Sequence, residues 1–354
     1  MIPDEVIKRI QDLFRPSPVL LVGSGFSCGY GLPGMWEVAQ HLIGALNSSS
    51  MSRDAFSLWE AHRAEINEDF EKGLNQIPSG APAREELVAE IRKLISRLIV
   101  NRTADAECRI RSVKNPQTEA PARLLKRIYA GIPQNTECAP IITTNYDTLL
   151  ELFCDFAKLP LDTGFEGHRH RFFREGTIYR TLYRRESVQV KNIMQFEYRH
   201  FTNIRLLKPH GSVAWHSTDY GPVEILNHAD AGSRAIVIPG PSKYEDALVM
   251  TLFDSVRTEM NACIRNASGL MCLGFGFNDA HLQGAIRDRL RYRMPMLILT
   301  KKLTANIEAL LADHPHIISI SEHPDGSSCH ADGSIYVSNE PIWTLDCFLK
   351  TFLE

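Results

Sequence analysis

The sequence predicts an α/β fold, a doubly wound and mostly parallel sheet with a large helical insertion. Three observations carry that prediction. Short, nearly continuous apolar runs recur along the chain, as expected of strands buried on both faces. Most of these runs lead into glycine or polar residues and then into a helical pattern. Residues 45–135 contain no convincing buried strand, so the first and second runs are separated by helices.

The elements follow in order. "MIPDEVIKRIQDLF" reads as a short amphipathic helix rather than a secretory signal, and the chain is expected to be cytoplasmic. The first strand is "VLLVG" (19–23), followed by a glycine-studded bend and a helix. "FSLWEAHRAEINEDFEKGL" and "REELVAEIRKLISRLIV" supply the helices of the insertion at 45–135. "PIITTNYD" (140–147) is the second strand, with Asp147 placed to cap the helix "TLLELFCDFA". Residues 160–203, rich in arginine and aromatics, alternate only partly and suggest irregular strands or a meander over one face.

"IRLLKPHGS" (204–212), "AIVIPG" (235–240), "GLMCLGFGF" (269–277), "MLILT" (296–300) and "IISI" (317–320) complete the strands. Leu248, Leu252, Val256, Met260 and Ile264 recur every four residues and define a helix over 244–266. Shorter helices are expected at 279–293, where Asp279 is a cap candidate, at 303–312, and near 340–353. The stretch 322–334 reads as a turn-rich loop. The expected organisation is a single domain over 1–354, interrupted at about 45–135 and about 160–203.

Composition removes several function classes. A net charge of −3 gives no general attraction to nucleic acid or to anionic membranes. No window holds eighteen uninterrupted apolar residues, so no membrane span is expected. None of the eight cysteines is two residues from another, which removes the knuckle spacing of a structural zinc site. "HRH" (168–170) and "HPH" (314–316) have no third ligand nearby, so no metal is expected there.

Ligands of doubly wound folds sit beyond the carboxyl ends of the strands, so those tips are where chemistry is expected. The first tip carries Gly23, Ser24, Gly25 and Ser27. Its glycines allow a sharp turn and a close approach of backbone N–H groups to a diphosphate. The pattern departs from G-x-G-x-x-G at Cys28, and no ribose-binding acid ends a second strand some twenty residues on, which disfavours a dehydrogenase. No Gly-Lys-Ser/Thr follows, which excludes a P-loop. The other tips carry Thr144, Asn145 and Asp147; His210, Gly211 and Ser212; and Gly274, Gly276 and Asn278.

In this order, "GSGFSCGYGLP", "TTNYD", "PHGS" and "GFGFND" resemble the signature blocks of the sirtuin superfamily, closest to its prokaryotic branch of NAD-cleaving anti-phage proteins. The likeness spans residues 23–279 and leaves out the insertions. It implies a Rossmann-like NAD-binding domain in which Gly23, Ser24, Gly25, Ser27 and Pro33 shape the phosphate and nicotinamide end. It also implies that Thr144 and Gly211 border the ligand, and that Asn145 and Asp147 reach the nicotinamide ribose. His210 would be the catalytic imidazole, with Gly274, Gly276 and Asn278 on the adenosine ribose side. Two departures matter. Protein-deacylating sirtuins carry a four-cysteine zinc module, and after their counterpart of "GLP" an acid, a Phe and an Arg close on nicotinamide. This chain has "GLPGMWE" and no such cysteine set. Hydrolysis of NAD+ as substrate, with no zinc, is therefore the expected activity. Deacylation, ADP-ribosyl transfer, or a non-catalytic subunit that binds NAD or ADP-ribose are the alternatives.

The residue types suit such a reaction. The pyridinium leaving group is already cationic, so the paired carboxylates of ordinary glycosidases are not needed. A carboxamide can orient the ribose or a water, and an imidazole can accept a proton near neutral pH. The resemblance further implies a homo-oligomer, restrained by assembly or by a partner such as a HerA-like ATPase or a phage-derived activator. Arg169, Arg171, Arg174, Arg180, Arg184, Arg185, Lys191 and Arg199, interleaved with Phe172, Phe173, Tyr179 and Tyr183, fit an oligomer interface or a cover over the pocket. Nucleic-acid binding ranks below both, because Glu166, Glu175, Glu186 and Glu197 dilute the charge.

Overall fold

A computed structural model describes residues 2–134, 136–174, 183–190, 193–226, 233–238, 247–278 and 280–354. Its main element is a nine-stranded sheet. From edge to edge the strands are Ser334–Ser338, Gly326–Ala331, Ile318–His323, Met296–Leu299, Leu270–Leu273, Val19–Val22, Cys138–Thr143, Asn203–Leu207 and Leu161–Asp162. The first two pair antiparallel with their neighbours and all other pairings are parallel.

Alternate residues of each strand enter different cores. Leu20 and Val22 join Ile141, Leu206, Met271 and Leu297 on one face, whereas Val19 and Leu21 join Ile142, Leu207, Cys272 and Ile298 on the other. That double burial is why the strands read as unbroken apolar runs. The first face is covered by helices that include Asp4–Leu13, Met35–Ala45, Arg84–Ser112, Ala120–Ala130, Leu149–Ala157 and Leu345–Phe352. The second is covered by Ala247–Asn266, Ala280–Arg291 and Ala305–Asp313. In the long helix of that face Leu252, Val256, Met260 and Ile264 are buried as their spacing requires, while residues 244–246 and the Leu248 side chain lie outside the described residues. Each fully buried side chain of this kind contributes roughly 1.5–3 kcal/mol relative to exposure.

Between the first and second sheet strands lie Met35–Ala45, Arg53–Glu68, Phe70–Gln76, Arg84–Ser112 and Ala120–Ala130. Ser52 and Asp69 cap the second and third of these, accepting from Ala55 N and Lys72 N. A second, antiparallel sheet runs Ser233–Ile236, Gly211–Thr218, Gly221–Glu224, Arg171–Phe173, Phe165–Gly167, and Tyr183–Val190 pairs with Ile193–His200 as a separate ribbon.

Three expectations change. "AIVIPG" contributes its strand to the antiparallel sheet, and residues 239–240 lie outside the described residues. The run 204–212 is two elements: a parallel strand ends at Leu207 and a strand of the other sheet begins at Gly211. The supposed loop at 322–334 includes most of a hairpin, Gly326–Ala331 with Ser334–Ser338. The fully buried Ser327 is compatible with burial because it is bonded: its Oγ donates to Glu340 O at 2.8 Å and accepts from Trp343 N at 3.2 Å. Among the described residues no helix is long and apolar enough to cross a membrane.

Candidate functional site

Strand order creates the site. Leu270–Leu273, Val19–Val22, Cys138–Thr143 and Asn203–Leu207 are consecutive in the sheet, so the loops after their carboxyl ends are neighbours. The chain leaves Val19–Val22 toward one side first and occupies the other side later, which makes this strand the topological switch point. A cavity of about 510 Å³ opens there. Gly23, Ser24, Ser27, Pro33, Thr144 and Asn145 line it, together with Asp147, His210, Gly276 and Asn278. Gly25, Gly211 and Gly274, which were expected to bind the ligand, are not part of its lining.

Those glycines have another physical role. A Cβ on Gly23 would lie 2.5 Å from Gly274 O, and one on Gly274, whose φ is +58°, would lie 2.4 Å from Phe26 N. A Cβ on Gly25 would approach Gly274 Cα to 2.9 Å. The loops of two adjacent strands thus pack backbone against backbone. Gly23 N donates to Leu273 O and Gly25 N to Gly274 O, both at 3.0 Å, so neither is available to a diphosphate. The glycine bend is small in order to fit its neighbour. Gly211 has a φ of +85° and abuts Ala235 O, which fixes the turn just after His210.

A polar network orders the centre. Ser27 Oγ donates to Asp147 Oδ2 at 2.7 Å. Leu149 N donates to Asp147 Oδ1 at 3.1 Å, so the acid, one residue before the N-cap Thr148 rather than the cap itself, has both oxygens engaged. Asn145 Nδ2 donates to Gly23 O at 2.9 Å and to Ser27 Oγ at 2.8 Å. Because an ionised carboxylate only accepts, Ser27 must give its proton to Asp147 and accept from Asn145. The carboxamide is thereby oriented: its nitrogen is consumed inward and its oxygen is the group that can meet a ligand.

His210 is half-buried, its carbonyl accepting from Val237 N at 2.8 Å. Tyr146 Oη donates to Val237 O at 2.5 Å, tying the loop after the second strand to the same segment. Lys208 and Glu151 form a buried pair at 2.6 Å beneath both loops. Burial pushes the Glu151 carboxyl up, and the Lys208 ammonium opposes that shift. Partial desolvation, then the carboxylates of Glu37 and Asp147, push the Cys28 thiol up, so it is a poorer nucleophile at neutral pH than an ordinary thiol.

The loop after Leu270–Leu273 is held from outside. Thr304 Oγ1 donates to Gly276 O at 2.7 Å, and Asn306 Nδ2 donates to Asn278 Oδ1 at 3.0 Å. Phe277 sits at a φ of +56°, a costly conformation for a bulky residue, with its carbonyl accepting from Gln283 Nε2 at 2.5 Å. Asp279 lies outside the described residues.

Several lining residues were not visible in the motifs. Glu71 and Asn75 come from Phe70–Gln76, Ile95 and Ile99 from Arg84–Ser112, and Arg257 and Asn261 from Ala247–Asn266. Each pair falls at four-residue spacing on its helix, the one signal that marks a shared face. The long helix Arg84–Ser112 also braces both neighbouring loops: Arg109 donates to Tyr30 O at 2.6 Å, and Glu107 Oε1 accepts from Thr148 Oγ1 at 2.8 Å.

The arginine-rich segment is largely neutralised where it is described. Arg171 pairs with Glu224, Arg174 with Asp162 and Glu166, and Arg199 with Glu186 and Glu197. Tyr179, Arg180 and Lys191 and the side chains of Tyr183 and Arg184 lie outside the described residues. Among the described residues no group of three or more His, Cys, Asp or Glu is gathered as a metal site would require.

Comparison with known proteins gives one family match: residues 139–314 fit the model of the SIR2-like domain, just under half of the chain. No curated protein matches the sequence. Similar solved structures include a Sir2 homolog–NAD complex, at 12% identity and a TM-score of 0.42, covering 87% of this chain and 86% of that one. A Sir2 homologue mutant with ADP-ribose has 12% identity and a TM-score of 0.42, covering 87% and 88%. Another mutant, with 2'-O-acetyl ADP-ribose, has 12% identity and a TM-score of 0.45, covering 100% and 99%.

Proposed function

Proceeding from the SIR2-like domain, we propose that this protein binds NAD+ in the cavity at the switch point and hydrolyses the nicotinamide–ribose bond, releasing nicotinamide and ADP-ribose. One observation carries the reading: Asn145 and His210 line the same cavity as the glycine bend, from loops that follow adjacent strands.

The chemistry balances as a displacement by water. The C1'–N bond breaks with its electron pair passing to the pyridinium nitrogen, which leaves as neutral nicotinamide. Water oxygen bonds to C1', and the proton it loses passes through His210 to solvent. Asn145, turned by Ser27 and Gly23, accepts a hydrogen bond through Oδ1 from the water or a ribose hydroxyl and holds it in line. Asp147 acts on the amide through Ser27 rather than on the sugar. Arg257 and Asn261 supply polar groups to the opposite wall.

Hydrolysis is the simplest outcome because water is the acceptor that needs no further groove beside the cavity, whose insertion side carries Phe70, Ile95 and Ile99 together with Glu71 and Asn75. A role in anti-phage defence through NAD depletion, and a HerA-like ATPase or phage-derived activator as partner, rest on the resemblance of the motifs. A homo-oligomer is supported by the ribbon Ile193–His200, where Met194, Phe196 and Tyr198 are all exposed.

The test is direct. Purified protein with NAD+, with and without an acyl-lysine peptide, should yield free ADP-ribose in both cases, and His210→Ala should abolish it. Acetyl-ADP-ribose would instead establish deacylation, and intact NAD+ a binding subunit.

A further inference from the structure

We propose that Lys208 is a positioning residue whose buried ammonium ties the loop carrying Asn145 to the loop carrying His210 and sets the separation of the two side chains. The inference rests on the reading of the cavity as the place where the nicotinamide–ribose bond is cut.

Lys208 is 1% exposed, an expensive location for an ammonium unless every donor is matched. Its three N–H groups have three acceptors: the Asp147 carbonyl, Glu151 Oε1 at 2.6 Å and Ser212 Oγ at 3.4 Å. Asp147 closes the loop that carries Asn145. Ser212 lies two residues beyond His210. Glu151 belongs to the helix Leu149–Ala157 that leaves the first loop, and it supplies the neutralising charge.

The geometry explains why such a tie is needed here. The parallel pairing of the two strands ends at Ile142–Leu207, and beyond it the loops diverge, one into a helix and the other into the antiparallel sheet. Lys208 is the first residue past that last pair. Val213 N donates to Tyr146 O at 2.8 Å and Ser212 Oγ donates to the same carbonyl at 3.3 Å, so the ammonium sits under a short bridge between the loops. An apolar side chain of similar bulk would fill the space, but it would leave the Asp147 carbonyl without its ammonium and nothing to hold it at a set distance from Ser212.

The experiment must separate positioning from stability. Lys208→Met alone would strand the Glu151 carboxylate in the core, so it is combined with Glu151→Leu. Three readouts are compared with the wild type: thermal unfolding, amide exchange over 144–148 and 210–213, and nicotinamide release from NAD+. The expected result is cooperative unfolding, exchange in those loops raised about tenfold, and the far hairpin Gly326–Ser338 unchanged. kcat should fall about 100-fold while KM stays within about threefold.

A folded double variant with wild-type exchange and kcat overturns the proposal. Should that pair fail to fold, Lys208→Gln with Glu151→Gln, neutral and still polar, is measured in the same way and decides it. A wild-type protein that releases no nicotinamide defeats the reading of the cavity, and the exchange measurement then decides the tie by itself.

Discussion

Ser27 Oγ lies 2.7 Å from Asp147 Oδ2, although 120 positions separate the two residues. This bond sets the sense of the whole central network, since it forces Ser27 to accept from Asn145. Ser27→Ala leaves a buried carboxylate oxygen unpaired and frees one amide hydrogen of Asn145. A loss of about 1–3 kcal/mol in stability is expected. A fall of about tenfold or more in kcat should accompany it. Urea unfolding and nicotinamide release check the two numbers.

Gly211 cannot take a side chain without disturbing the turn that presents His210. Its φ of +85° is unfavourable for other residues, and a Cβ would lie 2.1 Å from Ala235 O. Gly211→Ala should cost upwards of about 1–3 kcal/mol. Gly284, exposed in the helix Ala280–Arg291 with nothing within 4 Å of the place a methyl group would occupy, is the control. Gly284→Ala should stabilise by about 0.5–1 kcal/mol. Opposite shifts in Tm are the expected outcome.

Acid should unfasten the C-terminal helix. Lys350 and then Arg123 hold the Asp346 carboxyl below the usual carboxylate range. Arg123 also grips Glu354 at 2.6 Å. A depressed folded pKa contributes stability that is present above the unfolded value and is lost as pH falls through the folded one. The difference in urea midpoint between wild type and Arg123→Gln should therefore be present at pH 7 and shrink below about pH 4. Asp346 is half exposed, so the difference is modest. Equal differences at both pH values would count against the pairing.

Thiol chemistry should divide the cysteines by environment. Burial pushes Cys138 up to about 11 and Cys263 and Cys329 up to about 12. Cys154 and Cys272 are raised further by the same cause. Cys28 and Cys108 are exposed. Iodoacetamide at neutral pH should label Cys108 first and Cys28 more slowly, with the buried thiols reacting only after unfolding. Peptide mapping by mass spectrometry reads the order directly.

Much of the parallel sheet was legible because burial on both faces leaves an unbroken apolar run, as in residues 19–22, 270–273 and 296–299. The tips of those runs led to Asn145 and His210 because loop position follows strand position. The hairpin at 326–338 was not legible. Its buried Ser327 and Ser328 look like turn residues until the partners of the hydroxyl are known. The role of the glycines was misread for a related reason. Glycine spacing is the same whether backbone approaches a phosphate or, as at Gly23 and Gly274, another loop. Glu71 and Arg257 carried no motif because they reach the cavity from helices, where only tertiary packing decides which face points inward.

The strand Val19–Val22 comes early in the chain but takes its two neighbours from residues 138–143 and 270–273. A nascent polypeptide that has emerged from the ribosome only as far as the first of these segments leaves one edge of that strand bare and the glycine bend without Gly274 to rest on. The cavity is therefore completed late in synthesis, after most of the surrounding helices have already been made. Truncated translation products would carry Asn145 and even His210 without a closed cleft to use them.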